Sequence, residues 1–264
     1  MKLQNKRVLL TGGSSGIGLA LAHRLAAAGA YLVITGRRNG ALESATSQLR
    51  GMGATVVPVQ GDVADPDARQ TFINTANTSL GGLDILINNA GVVRAGRLDK
   101  ISHAEVCRMI EVNLTAPILL TQLALPLLKR SGDGLVVNVS SGLGLIGTPF
   151  YATYGATKAG LALFSEALRR ELKDEGVHVL TIYPTATDTP MMVSSRSGVE
   201  RESADSVADA TLKAIQSGVL AVIRGGEARA QMIARNRSDP AALDEHFRDL
   251  KPSLEQAVQD HSSL

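Results

Sequence analysis

The sequence is poor in the residue types on which several classes of protein depend. Its 264 residues include no tryptophan, only 3% aromatic residues and a single cysteine, Cys107. One cysteine excludes an internal disulfide and a zinc site built from cysteines, so no metal is expected, and a reducing, cytoplasmic location is expected. The first residues lead directly into a short apolar run that ends at Thr11, which is too short for a signal peptide.

Excess charge and long hydrophobic runs are also lacking. The chain has 27 Lys and Arg against 25 Asp and Glu, a formal net charge of +2 that is spread along its length. Nucleic acid is therefore not expected as a partner. No apolar run approaches the ~18 residues that a membrane span needs, so no membrane partner is expected either.

What the sequence does contain is typical of a parallel α/β protein. Hydrophobic residues make up 44% of the chain, and there are 26 glycines. Short apolar runs alternate with stretches of helical periodicity. The length allows one large α/β domain or two small ones.

A glycine-rich turn between a strand and a helix is the first functional signal. The strand is predicted at Val8, Leu9 and Leu10, and the helix from Leu19 to about Ala28. Between them the backbone N–H groups of the turn and the positive helix end can hold a phosphate. The glycines follow Gly-x3-Gly-x-Gly, and not the Gly-x-Gly-x2-Gly of the usual dinucleotide fingerprint. The predicted contacts are Gly12, Ser14, Ser15, Gly16, Ile17 and Gly18.

The end of the second predicted strand indicates which dinucleotide binds. An NAD site places an acidic residue about 20 residues beyond the glycines to hold the ribose 2′-hydroxyl. Here the chain has Gly-Arg-Arg at residues 36–38, and no acid occurs between Gly18 and Glu43. A 2′-phosphate would meet a cation there, so we predict NADP(H), with Arg37 as the first contact and Arg38 as the second. The alternative is a pair of solvated arginines in a turn.

Tyr154 and Lys158 lie four residues apart in a helix predicted from Ala152 to about Asp174, and therefore share one face. A phenol titrates near pH 10, and moving its pKa to about 7 needs roughly 4 kcal/mol. A half-buried ammonium about 4 Å away can supply that much at an effective dielectric of about 20. We therefore predict that Lys158 lowers the pKa of Tyr154 until the phenol exchanges protons near neutral pH. The alternative is a surface aromatic beside a solvated lysine.

A long helix is predicted from about Ser102 to Lys129, with a proline inside it. Pro117 has no N–H for the carbonyl four residues earlier, which belongs to Asn113. We predict that this frees the Asn113 carbonyl oxygen to bind another group. The alternative is a kink that serves helix packing only.

Over about residues 6–223 the sequence resembles the short-chain dehydrogenase/reductase family. The glycine turn, the Asn-Asn-Ala-Gly stretch at residues 88–91 and the Tyr-x3-Lys pair follow that family's order. The resemblance implies a doubly wound, Rossmann-type parallel sheet of about seven strands with helices on both faces. It also implies hydride transfer between NADP(H) and the carbonyl or alcohol group of a small substrate.

The resemblance also assigns roles to individual residues. Ser141 lies 13 residues before Tyr154 and is preferred to Ser140 as the catalytic serine. Tyr154 is then the general acid/base, and Asn113 a fourth catalytic residue that holds a water beside Lys158. The remaining cofactor contacts that the resemblance implies are Asp62, Val63, Asn89, Ala90, Gly91, Pro184, Thr185, Thr187 and Thr189, together with Tyr154 and Lys158.

The later part of the chain is predicted to cover the substrate. Residues 184–189 depart from the family's more usual Pro-Gly-x-Val-x-Thr at two positions, and residues 190–204 are predicted to be a mobile lid. Residues 1–224 form the predicted catalytic domain. Residues 225–264 are a helical extension that packs over the lid, joins a neighbouring subunit or stays mobile. An apolar substrate is indicated by Leu143, Phe150, Met191 and Met192, with ordinary packing as the alternative.

By resemblance, the two long helices pair subunits, so a homodimer or homotetramer is expected. Two other functions fit part of the sequence. Residues 12–16 also match the Gly-x-Ser-x-Gly elbow of a serine hydrolase with Ser14 as nucleophile, but that elbow needs an earlier strand–helix loop and none precedes this strand. A protein that senses NADP(H) without turnover would have the same fold, and the complete set of catalytic residues argues against it.

Overall fold

The computed structural model describes residues 1–196 and 198–264. The strands are Arg7–Leu10 (β1), Tyr31–Gly36 (β2), Val56–Gln60 (β3), Ile85–Asn88 (β4), Gly134–Val139 (β5), Val177–Tyr183 (β6), Thr187–Asp188 (β7), Glu202–Ser203 (β8) and Ala221–Ile223 (β9). The α-helices are Gly16–Ala27 (α1), Asn39–Gly51 (α2), Pro66–Leu80 (α3), His103–Ile110 (α4), Ala116–Arg130 (α5), Ala152–Glu171 (α6), Ala204–Ser217 (α7), Gly226–Ser238 (α8) and Pro240–Val258 (α9).

Seven of these strands form one parallel sheet in the order β3-β2-β1-β4-β5-β6-β9. The sheet divides the core in two, because successive residues of a strand face opposite sides. In β1, Val8 and Leu10 pack in one cluster with α1, and Leu9 packs in the other with α3 and α5. All three side chains are fully buried, which explains the unbroken apolar run in the sequence. The predicted Rossmann-type sheet with helices on both faces is confirmed.

The strand order reverses at β1, which lies between β2 and β4. The chain leaving β1 crosses to one face and the chain leaving β4 to the other, so a crevice opens at the carboxyl ends of these strands. The glycine turn follows β1, and the Asn-Asn-Ala-Gly stretch begins at the end of β4. The fold therefore brings the two motifs to the same crevice.

The long helix predicted from Ser102 to Lys129 is not one regular helix. Ser102 and Glu105 form a reciprocal cap at the start of α4, and a π-helical segment, Glu111–Thr115, separates α4 from α5. The Ala116 N–H bonds to the carbonyl of Glu111, five residues earlier. A proline cannot donate to the carbonyl four residues back, and wide turns of this kind often occur at functional sites.

Residues His103–Arg130 taken together are long and apolar enough to cross a membrane by length and composition alone, although no single uninterrupted apolar run is that long. Core helices meet the same criterion, and the inward side chains of α5, including Leu120 and Ala124, pack in the core cluster beneath the sheet. This helix therefore carries no argument for a membrane.

The lid and the extension are joined to the main domain at defined points. At the two ends of the lid, β7 and β8 pair in parallel, and Pro190–Met192 forms a short 3-10 turn. Ser197, within the predicted lid, lies outside the described residues. Beyond α9 the chain returns towards β4, where the Ala95 N–H donates to the His261 carbonyl at 2.9 Å. The end of the extension also touches the lid, since the Arg196 N–H donates to the Ala257 carbonyl at 2.9 Å.

Candidate active site

The glycine turn has the features of a phosphate cradle. α1 begins at Gly16 with no acidic residue in its first turn, and its N-cap, Ser15, makes no side-chain cap. The first N–H groups of a helix have no partner within it, so they remain available to an anion. Gly12 has φ +66°, and a β-carbon on Gly18 would lie 2.1 Å from the Gly12 carbonyl oxygen. Side chains are therefore excluded where a pyrophosphate has to approach.

Asn89 braces this turn. Its side-chain amide donates to the carbonyl oxygens of Thr11 at 2.9 Å and Gly12 at 3.2 Å. The Thr11 hydroxyl in turn accepts from the backbone N–H groups of Asn89 and Ala90. Two strand ends that are remote in sequence are thereby fixed together. Asn89, predicted as a cofactor contact, thus holds the shape of the cradle.

The two arginines after β2 are solvent-exposed beside the cradle. Arg38 precedes α2, and the Arg37 carbonyl accepts from Gln60 at 3.1 Å. Ser14 reaches the same place, since its hydroxyl lies 2.8 Å from where a β-carbon on Gly36 would be. Within the described part of the chain, neither Arg37 nor Arg38 forms an ion pair. A hydroxyl and two exposed guanidinium groups are a donor set that suits a phosphate on the adenosine ribose.

Asp62 is held by other side chains at the end of β3. Its carboxylate accepts from the Ala64 N–H at 2.9 Å and pairs with Arg108 of α4. Burial by itself would raise the pKa of Asp62, but the Ala64 N–H and the Arg108 guanidinium outweigh it and hold the pKa below its usual range. Val63 is buried in the core beneath the sheet. The carboxylate therefore remains charged and fixes α4 against the loop after β3.

Asn113 and Lys158 meet at Gly91. The Asn113 side-chain oxygen and the Lys158 ammonium lie 3.3 Å and 3.5 Å from the position that a β-carbon on Gly91 would occupy. Asn113 accepts from the Val92 N–H and donates to the Val92 carbonyl, both at 2.8 Å, and also donates to Thr157. The π-helical segment thus turns Asn113 inward to hold the loop after β4 beside the lysine.

Ser141 and Tyr154 also come together, and Ser140 turns away. The Ser140 hydroxyl donates to the Lys158 carbonyl at 2.8 Å and is buried. The Ser141 hydroxyl accepts from the Leu143 N–H at 3.1 Å and hydrogen-bonds to the phenol of Tyr154. Of the two serines, Ser141 is therefore the one that faces the tyrosine.

The predicted effect of Lys158 on Tyr154 was wrong for this structure. The Lys158 ammonium lies 5.8 Å from the centre of the tyrosine ring and donates to the Val139 carbonyl at 3.0 Å. Burial raises the pKa of Tyr154 to about 12, against the smaller opposing effect of Ser141. Burial also lowers the pKa of Lys158 to about 8. Desolvation has the largest effect on the pKa of Tyr154 because the Lys158 ammonium lies over the ring and donates to the Val139 carbonyl instead of to the phenol oxygen.

The stretch after β6 closes the site from the other side. The Gly142 N–H donates to the Pro184 carbonyl at 2.9 Å, which ties this stretch to the serine loop. Thr185 and Thr187 bond to each other through a hydroxyl and a carbonyl at 3.0 Å. Thr189 reaches the glycine turn, 3.0 Å from where a β-carbon on Gly16 would lie. The segments predicted to hold the cofactor therefore enclose one crevice.

Sequence reasoning missed three residues beside this crevice. Tyr151, which has Gly155 and not a lysine four residues after it, packs edge-on against Tyr154 with ring centres 6.3 Å apart. His261 donates to or accepts from the Tyr151 hydroxyl at 2.8 Å. Arg229 of α8 lies over Gly142, and burial lowers its pKa. The two residues of the extension come from parts of the chain that have no motif, so nothing in their local sequence points to the site.

A Rossmann-type sheet with a phosphate cradle at its switch point, and a serine, a tyrosine and a buried lysine beside the cradle, defines a dinucleotide-dependent oxidoreductase class. Comparison with known proteins gives the family. The family model described as short chain dehydrogenase matches residues 6–200, which is most of the chain. The protein is therefore a member of the short-chain dehydrogenase/reductase family, as the sequence predicted, and an oxidoreductase.

Several relatives support this membership. The chain is 31% identical to a ketoacyl reductase, HetN, of Nostoc over 93% of its own length and 89% of the relative's. It is 36% identical to 2,5-dichloro-2,5-cyclohexadiene-1,4-diol dehydrogenase LinX of Sphingobium indicum over 72% of its length and 76% of the relative's. It is also similar to a short chain dehydrogenase from Burkholderia cenocepacia in complex with NADP, with a TM-score of 0.77 and 32% identity over 84% of this chain and 97% of that one.

A second solved structure shares the fold at lower identity. A short-chain dehydrogenase/reductase from Burkholderia phymatum in complex with NAD has a TM-score of 0.85 and 23% identity, covering 92% of this chain and 96% of that one. The two structures therefore hold different dinucleotides.

Proposed function

We propose that the protein reduces the carbonyl group of a small, largely apolar substrate with NADPH, in a reversible reaction. The observation that carries the proposal is the meeting of Ser141, Tyr154 and Lys158 at the carboxyl edge of the sheet, next to the phosphate cradle. When bound, NADP(H) supplies the hydride chemistry. The residues of the chain supply position and protons.

Tyr154 is the proton donor in this proposal. Its raised pKa keeps the phenol protonated at neutral pH, which is the form needed to protonate a carbonyl oxygen. Ser141, hydrogen-bonded to the phenol, donates to the same substrate oxygen. Lys158, charged below its lowered pKa of about 8, places a positive charge beside the ring as negative charge develops on that oxygen. Asn113 holds the loop against which the lysine lies.

The preference for NADPH rests on Arg37, Arg38 and Ser14 at the end of β2. Wild-type protein should use NADPH more efficiently than NADH, and Arg37→Ala should lower that preference by about tenfold, as expected for a lost ion pair of about 1.4 kcal/mol. Ratios of kcat/KM for the two cofactors measure this. Arg130→Ala removes an exposed arginine from the far end of α5 and should leave the ratio unchanged. A wild-type preference for NADH would contradict the proposal.

The apolar substrate is inferred from the residues around Tyr154. Phe150 is buried beside the site, and Met191 and Met192 form the 3-10 turn that begins the lid. The test is oxidation of NADPH with a panel of aliphatic and aromatic ketones and aldehydes. Tight NADPH binding without turnover of any of them would favour the alternative, a protein that senses NADP(H).

The serine hydrolase alternative has no support from the site. Ser14 belongs to the phosphate cradle and lies against the end of β2. The rings of His23, His103 and His261 bond to other residues, namely Met52 and Gln48, Cys107, and Tyr151. No described histidine contact supplies Ser14 with a base.

A further inference from the structure

The end of β3 places a carboxylate beside the arginines that follow β2. The two strands are parallel neighbours with Gly36 opposite Gln60, and the Gly61 N–H donates to the Gly36 carbonyl at 3.1 Å. Arg37 and Asp62 therefore leave adjacent strands at the same edge of the sheet, one residue beyond this bond on each side. A carboxylate without another partner would oppose a 2′-phosphate there, because like charges repel, and would compete with it for Arg37.

The Asp62 carboxylate has other partners. Its Oδ1 accepts from the Ala64 N–H at 2.9 Å, and its Oδ2 accepts from the Arg108 guanidinium. Burial raises the pKa of Asp62, the Ala64 N–H and the Arg108 guanidinium lower it, and Arg37 adds the smallest lowering effect, so that the pKa lies below its ordinary value. The charge of Arg37 thus acts on this carboxylate, but Arg108 makes the bond to it.

Arg108 reaches Asp62 from α4, whose position is fixed by the fold. The first turn of this helix is closed by the reciprocal cap of Ser102 and Glu105. Met109, next to Arg108, is fully buried in the core. The side chain of Arg108 is 27% exposed and that of Asp62 is 31% exposed, so water screens the pair only in part. A charge-assisted bond in such a place is stronger than an ion pair on an open surface.

Among the residues that the structure describes, no other cation replaces Arg108 at this carboxylate. Arg69, on α3, lies 3.8 Å from the carboxylate of Glu111. The two cationic side chains whose charge lowers the pKa of Asp62 are Arg108 and Arg37. If Arg108 were removed, Arg37 would be the cation left to pair with Asp62.

We propose that Arg108 determines specificity for the dinucleotide: by pairing with Asp62, it leaves the Arg37 guanidinium available to a 2′-phosphate. This inference rests on the proposed use of NADP(H) and extends it to a residue of α4, outside the phosphate cradle. Arg108 is a positioning residue, because it acts through Asp62 and Arg37 and not on the dinucleotide itself. The preference for NADPH then depends on two arginines, one that binds the phosphate and one that neutralises the competing acid.

The first test is the ratio of the dissociation constants for NADH and NADPH, each measured by fluorescence titration without substrate. Arg108→Met should lower this ratio by about three- to tenfold, since a partly exposed pair of Asp62 with Arg37 would compete with the phosphate. Arg108→Lys keeps the charge and should retain most of the ratio. An unchanged ratio in Arg108→Met would overturn the proposal.

The matched control is Arg170→Met. Arg170 is also a helical arginine paired with a carboxylate, that of Glu166, but it lies at the end of α6, which leads to the amino end of β6 and not to the cradle. Its loss should leave the ratio unchanged. Because both dinucleotides are measured on the same folded protein, a variant of lower stability still gives a valid ratio.

A double-mutant cycle separates this mechanism from a general loss of positive charge. In the Asp62→Asn background there is no carboxylate for Arg37 to pair with, so adding Arg108→Met should leave the ratio nearly unchanged. A general loss of charge would instead lower the ratio by the same factor in both backgrounds, and that result would contradict the proposal. Contacts of Asp62 with the part shared by both dinucleotides cancel in the ratio.

The same titrations distinguish this inference from the proposed function. Wild-type protein that binds NADH more tightly than NADPH would contradict the proposed cofactor. The change of the ratio in Arg108→Met would still decide the role of Arg108. Binding of neither dinucleotide would overturn both.

Discussion

At the scale of single residues, the site keeps a partly buried phenol neutral and a buried lysine charged. Burial raises the pKa of Tyr154, and it lowers the pKa of Lys158, whose ammonium donates to the Val139 carbonyl and lies over the Tyr154 ring. Buried charges without a counter-ion are costly to stability and are typical of functional sites. The residues that do the chemistry are therefore expected to weaken the fold.

Removal of the phenol hydroxyl tests the proton donor. We expect Tyr154→Phe to lower kcat by about 10²- to 10⁴-fold, because the carbonyl oxygen loses its general acid. The dissociation constant for NADPH, measured by fluorescence titration, should change little, since the ring remains. Tyr151→Phe, which alters the neighbouring ring in the same way, should retain most of kcat. Near-normal turnover by Tyr154→Phe would refute the assignment.

Removal of the Lys158 charge tests how much the buried ammonium lowers the stability of the fold. At pH 7 we expect Lys158→Met to be more stable than wild type by about 2 kcal/mol. The substitution removes the cost of charging the buried ammonium, which the lowered pKa measures, and loses the stabilisation of one hydrogen bond. Because the folded pKa of about 8 lies below the ordinary 10.5, the unfolded chain binds more protons between these values, and wild-type stability rises with pH there. Urea unfolding should therefore show a smaller difference in the free energy of unfolding between Lys158→Met and wild type at pH 10 than at pH 7.

The control for this measurement is Lys251→Met, which removes an exposed lysine from α9. Its stability difference from wild type should be small and the same at both pH values. A Lys158→Met protein less stable than wild type at pH 7 would show that burial of the ammonium is compensated by the fold.

At the scale of elements, most strands and helices were predictable because their signals are local. Strands β1, β4 and β5 are apolar runs buried on both faces, and their positions follow from composition alone. The sequence did not predict the π-helical segment Glu111–Thr115, because a widened turn depends on tertiary bonds such as that of Asn113 to Val92. Motif spacing predicted which residues meet, but it left the direction of the Lys158 ammonium undetermined.

The close packing between the glycine turn and α1 can be tested by adding one methyl group at Gly18. A β-carbon at Gly18 would clash with the Gly12 carbonyl and the Asn89 amide, so we expect Gly18→Ala to lower stability by about 2 kcal/mol. NADPH affinity should fall as well. Gly40→Ala is the matched control, since nothing lies within 4 Å of its added carbon, and it should be neutral or slightly stabilising. Thermal unfolding with and without NADPH measures both effects.

At the scale of the whole molecule, the sequence predicted the catalytic domain better than the extension. The motifs lie between residues 11 and 189. The extension contacts residues beside the site through side chains that belong to no motif, such as His261, which bonds to Tyr151. The hydrogen bond from the Val93 N–H to the Ser263 hydroxyl joins residues 170 positions apart, which local patterns cannot reveal. Only the folded chain shows which end of the extension reaches the lid.

Association of copies is a further property of the whole molecule. Leu163 on α6 is 66% exposed and Ile110, at the end of the adjacent α4, is 41% exposed. Exposed apolar side chains on neighbouring helices favour a contact between subunits, so we expect a dimer or tetramer by light scattering. Leu163→Arg should shift the mass towards a single chain, and Leu98→Arg, at a similarly exposed leucine in a 3-10 turn, should not. A wild-type monomer would contradict this expectation.

The closeness of the carboxyl terminus to the crevice bears on how the protein should be produced. Leu264 follows the residues that join the lid to the loop after β4, so an affinity tag fused after Leu264 would begin directly beside those contacts. The amino terminus lies at the end of α7, where the Met1 ammonium bonds to the Ile215 carbonyl at 3.2 Å. A removable tag at that end leaves the contacts of residues 262 and 263 with the lid and the loop after β4 undisturbed.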